Sequence, residues 1–230
     1  MNNLKLSLVA AAAALSMGGA AYAQDDSGPK VSFNVGAASD YVFRGVSQTD
    51  EDPQVFGGVD VTMGQFYAGA WASNVDFYDS TDAEIDVYAG FKPTLGPVSL
   101  DLAAIYYGYV DAPSGSDYAY FEAKAAGSVA VGKGSLGAAV YYSPDFFGAV
   151  DDAFYYEVNG SYPLTDKISV SGALGRQELE GPGDYTTWNL GVGFALNSHI
   201  GIDVRYHDSS VHEFGKLYDS RGVVSLKATF

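Results

Sequence analysis

The chain has 230 residues, no cysteine, 28 glycines, 18 tyrosines and 13 phenylalanines, and its formal net charge at pH 7 is −16. A chain with this many aromatic residues can bury enough surface to fold, which argues against disorder. It has 28 acidic and 12 basic residues, and this balance argues against nucleic acid as a partner. After residue 23 no apolar run approaches the ~20 residues that a membrane-spanning helix needs.

The first 23 residues have the pattern of a secretory signal peptide. Lys5 supplies a short positive region, residues 6–17 are apolar apart from two serines, and residues 21–23 form a small-x-small cleavage site. We therefore predict cleavage after Ala23. An exported chain without cysteine has no disulfides to stabilise it, so packing or a closed hydrogen-bond network must do so.

Beyond this segment, apolar and polar residues alternate with a period of two, as Ile85 and Val87 do with Glu84 and Asp86. Runs of about ten such residues match the ~9–11 residues of a tilted membrane-spanning strand and exceed the five or six usual in globular proteins. The phase of the second and third runs is ambiguous at Phe66. We predict twelve strands, at residues 31–45, 56–63, 66–75, 83–92, 98–110, 118–131, 135–143, 154–163, 168–178, 185–197, 199–207 and 220–230.

The connections between these strands alternate in length. Short turns at residues 64–65, 93–97, 132–134, 164–167 and 197–198 alternate with longer segments, which is the layout of an outer-membrane barrel. The predicted fold is all-β: a closed antiparallel up-and-down transmembrane β-barrel of about 12 strands, with short periplasmic turns and longer acidic extracellular loops. The predicted domains are a signal peptide (1–23), a short periplasmic tail (24–30) and the barrel (31–230). A secreted soluble β-sandwich is the alternative, and it would stay in solution without detergent.

Charged residues on the polar phase of the strands are candidates for the pore lining. They are hard to place in a soluble core, where unpaired charges are rare, but they fit the polar inner wall of a barrel. Each could equally be paired with a neighbouring strand. The eight acids and five bases of this set are Asp40, Arg44, Asp60, Glu84, Asp86, Asp101, Glu122, Lys124, Glu157, Asp203, Arg205, Arg221 and Lys227.

The longer connections carry most of the negative charge. They hold 17 of the 28 acidic residues, with Lys216 as the opposing base. Such loops are either merely solvated or form an acidic mouth that concentrates cations. Bridging of lipopolysaccharide by divalent ions is conceivable there, although no loop has EF-hand-like spacing. The candidate mouth residues are Asp50, Glu51, Asp52, Asp151 and Asp152.

Aromatic residues fall into two sets. On the lipid-facing phase they form two predicted girdles, with Tyr41, Phe43, Tyr106, Tyr142, Tyr156 and Tyr206 near the long loops and Phe33, Phe91, Tyr162 and Phe230 near the short turns. A second set is predicted to narrow or block the bore: Tyr107, Tyr109, Tyr118, Tyr120 and Tyr155.

Two segments carry a family resemblance. Residues 222–230, GVVSLKATF, end in Phe230 and resemble the C-terminal assembly signal of bacterial outer-membrane proteins, with Ala228 where an aromatic is often found. Residues 31–48, VSFNVGAASDYVFRGVSQ, together with 57–60 and 67–71, resemble the TorF-type porin family of proteobacteria. The resemblance implies a Gram-negative outer-membrane barrel that passes small solutes, and it brings no catalytic residues.

The functional prediction is an outer-membrane porin for passive diffusion of small hydrophilic solutes, weakly cation-preferring. The alternative is a non-conducting barrel with an envelope-structural or adhesive role. We expect no enzyme, since His199, His207 and His212 form no recognisable catalytic set, and we expect no cofactor or metal. The expected partners are outer-membrane lipids, lipopolysaccharide and the barrel assembly machinery.

Overall fold

The computed structural model describes residues 28–148 and 150–230, so the predicted signal peptide lies outside the described residues, as do residues 24–27 of the predicted tail. Two short 3-10 helices, His212–Phe214 and Lys216–Tyr218, precede the last strand. In the described part of the chain no helix is long and apolar enough to cross a membrane. The strands of the described residues are β1 Lys30–Ala38, β2 Val42–Phe43, β3 Val46–Ser47, β4 Gln54–Met63, β5 Phe66–Asn74, β6 Ala83–Phe91, β7 Thr94–Leu95, β8 Val98–Val110, β9 Tyr120–Val131, β10 Gly134–Ser143, β11 Ala153–Pro163, β12 Ile168–Leu179, β13 Tyr185–Ala195, β14 Ile200–Ser209 and β15 Arg221–Thr229.

Twelve of these strands form a closed antiparallel barrel. Each pairs with the next long strand along the chain, β6 pairs directly with β8, and β15 pairs with β1, where Ala228 lies opposite Val35. The two-residue strand β7 only extends the turn between β6 and β8. Closure leaves the barrel without a free edge, so every strand finds hydrogen-bond partners on both sides. The predicted fold class is therefore confirmed.

Side chains alternate between the two faces of the wall as the period of two requires. On β6, Glu84 and Asp86 are buried inside the barrel, whereas Ile85 and Val87 are 43% and 54% exposed on its outer surface. The ambiguous strand β5 places Tyr67 inside and Phe66 outside. An apolar outer face and a polar inner face match an aqueous interior surrounded by lipid.

The first strand differs from its prediction. It ends at Ala38 rather than at residue 45, and the chain then turns into the barrel interior as the hairpin β2–β3. Tyr41 and Phe43 consequently lie inside, against Trp71 and Tyr107, so their prediction as lipid-facing girdle residues is wrong. The alternation continues past Ala38 because a hairpin has the same period as a wall strand.

Candidate functional site

A short hairpin lies inside the extracellular half of the barrel. We call residues 41–48 the inner hairpin; it contains β2 and β3 and is closed by a 2.7 Å hydrogen bond from the Gln48 N–H to the Tyr41 carbonyl. Its two turn residues, Arg44 and Gly45, have φ values of 47° and 82°, the left-handed backbone of a type I′ turn. A Cβ on Gly45 would meet Thr187 of the wall, so the position also needs glycine for space.

The turn carries the guanidinium of Arg44 across to the opposite wall. There Nη1 and Nη2 donate to the two carboxylate oxygens of Glu122, each at 2.8 Å, and Nη1 also donates to the amide oxygen of Gln177 at 3.2 Å. The hydroxyl of Tyr107 donates to Glu122 at 3.1 Å. Both charged side chains are only 2% exposed. A bidentate ion pair shielded from water in this way is a strong and directional contact.

Aromatic rings surround the same guanidinium. Its central carbon lies 4.4 Å from the ring centre of Tyr155, 4.9 Å from that of Tyr141 and 4.7 Å from that of Phe43. These distances are within the range of cation–π attraction. Gly175 faces the Tyr155 ring, and a Cβ there would collide with it. The wall thus combines a carboxylate, an amide and stacked rings around one cation.

The base of the inner hairpin is tied to the seam where the barrel closes. The carboxylate of Asp40 accepts hydrogen bonds from Ser47 at 2.7 Å and Thr49 at 2.9 Å, and it pairs with Arg221 of β15 at 2.9 Å. Tyr41 donates to Glu84 of β6 at 2.7 Å. The hairpin is therefore held at its tip and at its base by different parts of the wall.

Asp86 is a buried carboxylate without a polar partner. It is 0% exposed, and neither of its oxygens has a hydrogen-bond partner in the described part of the protein. Glu84 and Glu122 lie close enough to interact with it electrostatically. Asp86 therefore groups with two further acidic side chains at this level of the lumen, and burial without a partner disfavours its charged form.

Buried wall residues surround the inner hairpin on most sides. In the described residues they come from eleven strands and leave the extracellular half of the lumen filled by side chains. Examples, one from each strand, are Gln54 of β4, Ser73 of β5, Asp86 of β6, Tyr107 of β8, Glu122 of β9, Tyr141 of β10, Tyr155 of β11, Gln177 of β12, Thr187 of β13, His207 of β14 and Val223 of β15.

The periplasmic half of the lumen is more accessible, and its charges are hydrogen-bonded along the wall. Lys124 pairs with Asp101 at 2.8 Å, and Asp101 also accepts a 2.6 Å hydrogen bond from Tyr67. Asp60 accepts one from Tyr88 at 2.7 Å. Tyrosine hydroxyls thus donate to inner-wall carboxylates, one of which also pairs with a lysine.

A second network lies on the other side of this half. Arg205 pairs with Asp203 at 3.0 Å and donates to Asn189 at 2.6 Å. Glu157 accepts hydrogen bonds from Asn159 at 2.9 Å and Tyr155 at 3.3 Å.

All thirteen candidate pore-lining residues point to the inside of the barrel. The structure brings eight of them together as four ion pairs: Arg44 with Glu122, Lys124 with Asp101, Arg205 with Asp203, and Arg221 with Asp40. Asp60, Glu84 and Glu157 accept hydrogen bonds from tyrosines instead. Lys227 lies on the inner phase of β15 and interacts electrostatically with Asp60.

The candidate acidic mouth is less uniform than its sequence. Asp50 accepts from Lys216 at 2.6 Å and from the Tyr78 hydroxyl, and these hydrogen bonds hold the pKa of its carboxyl below the usual range. Glu51 lies 3.5 Å from Arg221, and Asp152 accepts from Tyr142 at 2.8 Å. The mouth residues Asp52 and Asp151 are exposed.

Gln177 and Tyr141 are parts of the site that sequence reasoning missed. Gln177 carries no charge, so a search for charged inner-phase residues does not select it, although the alternation along β12 places it on the same phase as Ser169 and Ser171. Tyr141 has the inner phase of β10, next to its lipid-facing neighbour Tyr142. A search for every polar or aromatic inner-phase residue, rather than for charges alone, would have found both.

Metal binding finds no support in the described residues, where no group of three or more His, Cys, Asp or Glu side chains could hold a metal ion. The site is instead a set of ion pairs, amides and aromatic rings.

Comparison with known proteins shows what fold this is. The chain superposes on the KdgM porin with a TM-score of 0.62 at 10% identity, covering 86% of this chain and 99% of that one. A KdgM porin in complex with disordered oligogalacturonate gives 0.59 at 10% identity, with 87% and 98% covered. The NanC porin gives 0.57 at 10% identity, with 87% and 99% covered. At this identity the likeness establishes the barrel fold. No curated protein sequence matches the chain.

One family profile matches nearly the whole chain, over residues 22–230. Its description is "Bacterial protein of unknown function (Gcw_chp)". The chain therefore belongs to the Gcw_chp family of bacterial proteins.

Proposed function

We propose that the protein is a channel of the Gram-negative outer membrane that passes small hydrophilic solutes by passive diffusion. The observation that carries the proposal is the inner wall, which is polar and charged from the loops to the short turns while the outer wall is apolar. A polar interior is what a water-filled channel needs. The shared fold with the KdgM and NanC porins supports the same function, as does the resemblance to TorF-type porins.

Weak preference for cations is part of the proposal. Of the thirteen candidate residues inside the barrel, eight are acids and five are bases, and the acidic connections at the extracellular end add to the negative potential there. Wall and mouth potentials of one sign raise the local concentration of counter-ions.

The inner hairpin is the constriction in this proposal. It fills the extracellular half of the lumen, so conduction requires that it move or that solutes pass beside it. The hairpin is a connection between wall strands rather than a wall element. Its tip and base contacts hold it in place, together with the packing of Tyr41 and Phe43 on wall rings and a 2.8 Å hydrogen bond from the Asp76 N–H to the Gln48 carbonyl. A rare or small conductance is therefore the expected behaviour of the unaltered protein.

The proposal also includes the envelope partners of such a channel. The apolar outer face would contact outer-membrane lipids, and lipopolysaccharide would surround the acidic loops. Phe230 would be recognised by the barrel assembly machinery. The residue is 68% exposed at the periplasmic end of β15. The signal peptide at residues 1–23 would direct export.

The experiment is conductance in a planar lipid bilayer. The folded protein, identified by its heat-dependent shift in detergent gels, is compared with a variant whose residues 41–48 are replaced by a short Gly-Ser turn. We expect small or infrequent channel events from the former, larger steps from the latter, and a cation-selective reversal potential in a salt gradient. Absence of events from both folded proteins overturns the channel proposal, and anion preference overturns its selectivity.

The filled extracellular half favours one other candidate, a non-conducting barrel with an envelope-structural or adhesive role. The two candidates differ in the same experiment. A hairpin variant that conducts, beside an unaltered protein that never does at any voltage or solute concentration, identifies the barrel as permanently closed.

A further inference from the structure

We propose that the barrel wall contains a binding site for a guanidinium group, which Arg44 occupies at rest and which a guanidinium-bearing solute occupies when the inner hairpin withdraws. This inference rests on the proposed channel function, because it names the class of solute that the constriction recognises.

The groups that hold the Arg44 guanidinium come mostly from the wall. Glu122 lies on β9, Tyr141 on β10, Tyr155 on β11 and Gln177 on β12, four consecutive strands joined by continuous hydrogen-bonded ladders. Among the described residues that contact the guanidinium, Phe43 is the one that belongs to the inner hairpin. The site therefore remains assembled when the hairpin leaves it, since nothing in its wall depends on the hairpin backbone.

The chemistry of this site is specific for a planar cation. The two 2.8 Å contacts to Glu122 use the parallel N–H pairs of a guanidinium, and an ammonium group cannot reproduce that fork. Tyr155 and Tyr141 contribute ring faces at 4.4 and 4.9 Å, which suit a flat and weakly hydrated ion. The amide oxygen of Gln177 adds a further acceptor at 3.2 Å.

The surroundings of the site exclude anions. Asp86 lies close to Glu84 and Glu122, and in the described residues neither of its oxygens has a hydrogen-bond partner. Withdrawal of Arg44 would leave Glu122 without the cation that now pairs with it. A solute with a guanidinium and no carboxylate close to it suits this environment best. Methylguanidinium and agmatine are suitable probes.

Arg44 competes with such a solute as a tethered group. Short flexible tethers give effective concentrations on the order of millimolar, so the solute should act in the millimolar range. Binding of the solute and withdrawal of the inner hairpin are then the same event, and the solute opens the constriction that it passes.

Chemical rescue of Arg44→Ala tests the site without any measurement of current. The thermal unfolding midpoint of the variant in detergent should lie below that of the unaltered protein. It should rise with millimolar methylguanidinium chloride, but not with methylammonium chloride or sodium chloride at equal concentration. The double variant Arg44→Ala/Glu122→Gln should lose the rescue, because the fork acceptor is gone. Equal responses to methylguanidinium and methylammonium refute the site.

A labelling experiment covers the case in which Arg44→Ala fails to fold. The chain has no cysteine, and Val42 of the inner hairpin is 3% exposed, so Val42→Cys reports hairpin withdrawal through its reaction with a water-soluble maleimide. Methylguanidinium should accelerate the reaction in a dose-dependent manner, and methylammonium should not. No acceleration beyond that by methylammonium overturns the competition between solute and Arg44.

Bilayer recordings separate this inference from the channel proposal. Currents through Arg44→Ala should be blocked by methylguanidinium, with an affinity at least about tenfold lower in Arg44→Ala/Glu122→Gln, as expected for loss of a charge-assisted hydrogen bond. A conducting barrel that methylguanidinium neither blocks nor stabilises refutes the site and leaves the channel intact. If the barrel never conducts but methylguanidinium raises the unfolding midpoint of Arg44→Ala, the channel proposal is refuted and the guanidinium site is supported.

Discussion

Replacement of Glu122 by glutamine should release the inner hairpin from the lumen. The change preserves the size of the side chain and removes its charge, so the Arg44 guanidinium would stay buried without a counter-ion. Removal of one partner of a buried pair costs about 3–5 kcal/mol. A direct calculation agrees, since two unit charges ~4 Å apart at an effective dielectric constant of 20 attract by about 4 kcal/mol. Exposing Arg44 to water avoids this loss, so the hairpin moves outward.

The expected change in hairpin position can be measured by thiol labelling. A loss of about 3–5 kcal/mol raises the population of the withdrawn state by roughly two to three and a half orders of magnitude. Labelling of Val42→Cys should accelerate in proportion when Glu122→Gln is added, as long as the withdrawn state remains a minority. The matched control is Asp60→Asn, which removes one inner-wall charge in the periplasmic half, away from the hairpin. That variant should label at the unaltered rate.

Two results would refute this reasoning. Unchanged labelling in Glu122→Gln would mean that the contacts of Asp40 and Tyr41 hold the hairpin and that the ion pair contributes little. Equal acceleration in Asp60→Asn would mean that the loss of any inner-wall charge loosens the barrel. The double variant Arg44→Met/Glu122→Gln provides a further check: it removes both charges, so its labelling should return toward the unaltered rate.

Three further outcomes are expected. Gly45→Ala should shift the equilibrium toward the withdrawn hairpin by about 1–3 kcal/mol, because alanine is disfavoured in the left-handed backbone of this position, and labelling of Val42→Cys should become faster. Gly222→Ala, whose Cβ would meet open space, should have no effect. A hydrogen bond with Asp208 raises the pKa of His212. This contact therefore stabilises the loop at acidic pH, and the stabilisation is lost as the pH rises through the raised pKa. An NMR titration should show a lower His212 pKa in Asp208→Asn, and an unchanged pKa would disprove the coupling. Phe230→Ala should refold in detergent with an unaltered unfolding midpoint but yield less assembled barrel in cells; equal yields would remove Phe230 as the assembly signal.

The barrel wall could be predicted from the sequence because its rule is local. Alternation of apolar and polar residues is set by one-residue steps along each strand, and turn residues such as Gly64 and Gly132 mark where strands end. Predicted and observed strands therefore agree to within about two residues from β4 to β15. The same local rule assigned the candidate pore-lining residues to the inner side.

The inner hairpin could not be predicted in this way because its position depends on distant partners. Arg44 alternates with Tyr41 and Phe43 as a wall residue would, so the alternation itself does not show that the chain has left the wall. Gly45 after Arg44 was the available signal, since a glycine in a two-residue turn favours a hairpin. The partners Glu122 and Gln177 are recognisable as inner-phase residues, but nothing in the sequence pairs them with Arg44.

The inner hairpin also has a consequence for the order of assembly. Its tip contacts span 78 residues to Glu122 and 133 to Gln177, so they are among the longest-range contacts of the chain. Its base contact, between Arg221 of the last strand and Asp40 just after the first strand, spans 181 residues. Contacts of such separation form late, and the contact with Arg221 can form only after β15 has closed the barrel. A nascent barrel would therefore be permeable until its final strand is in place, and sealing would mark the completion of biogenesis.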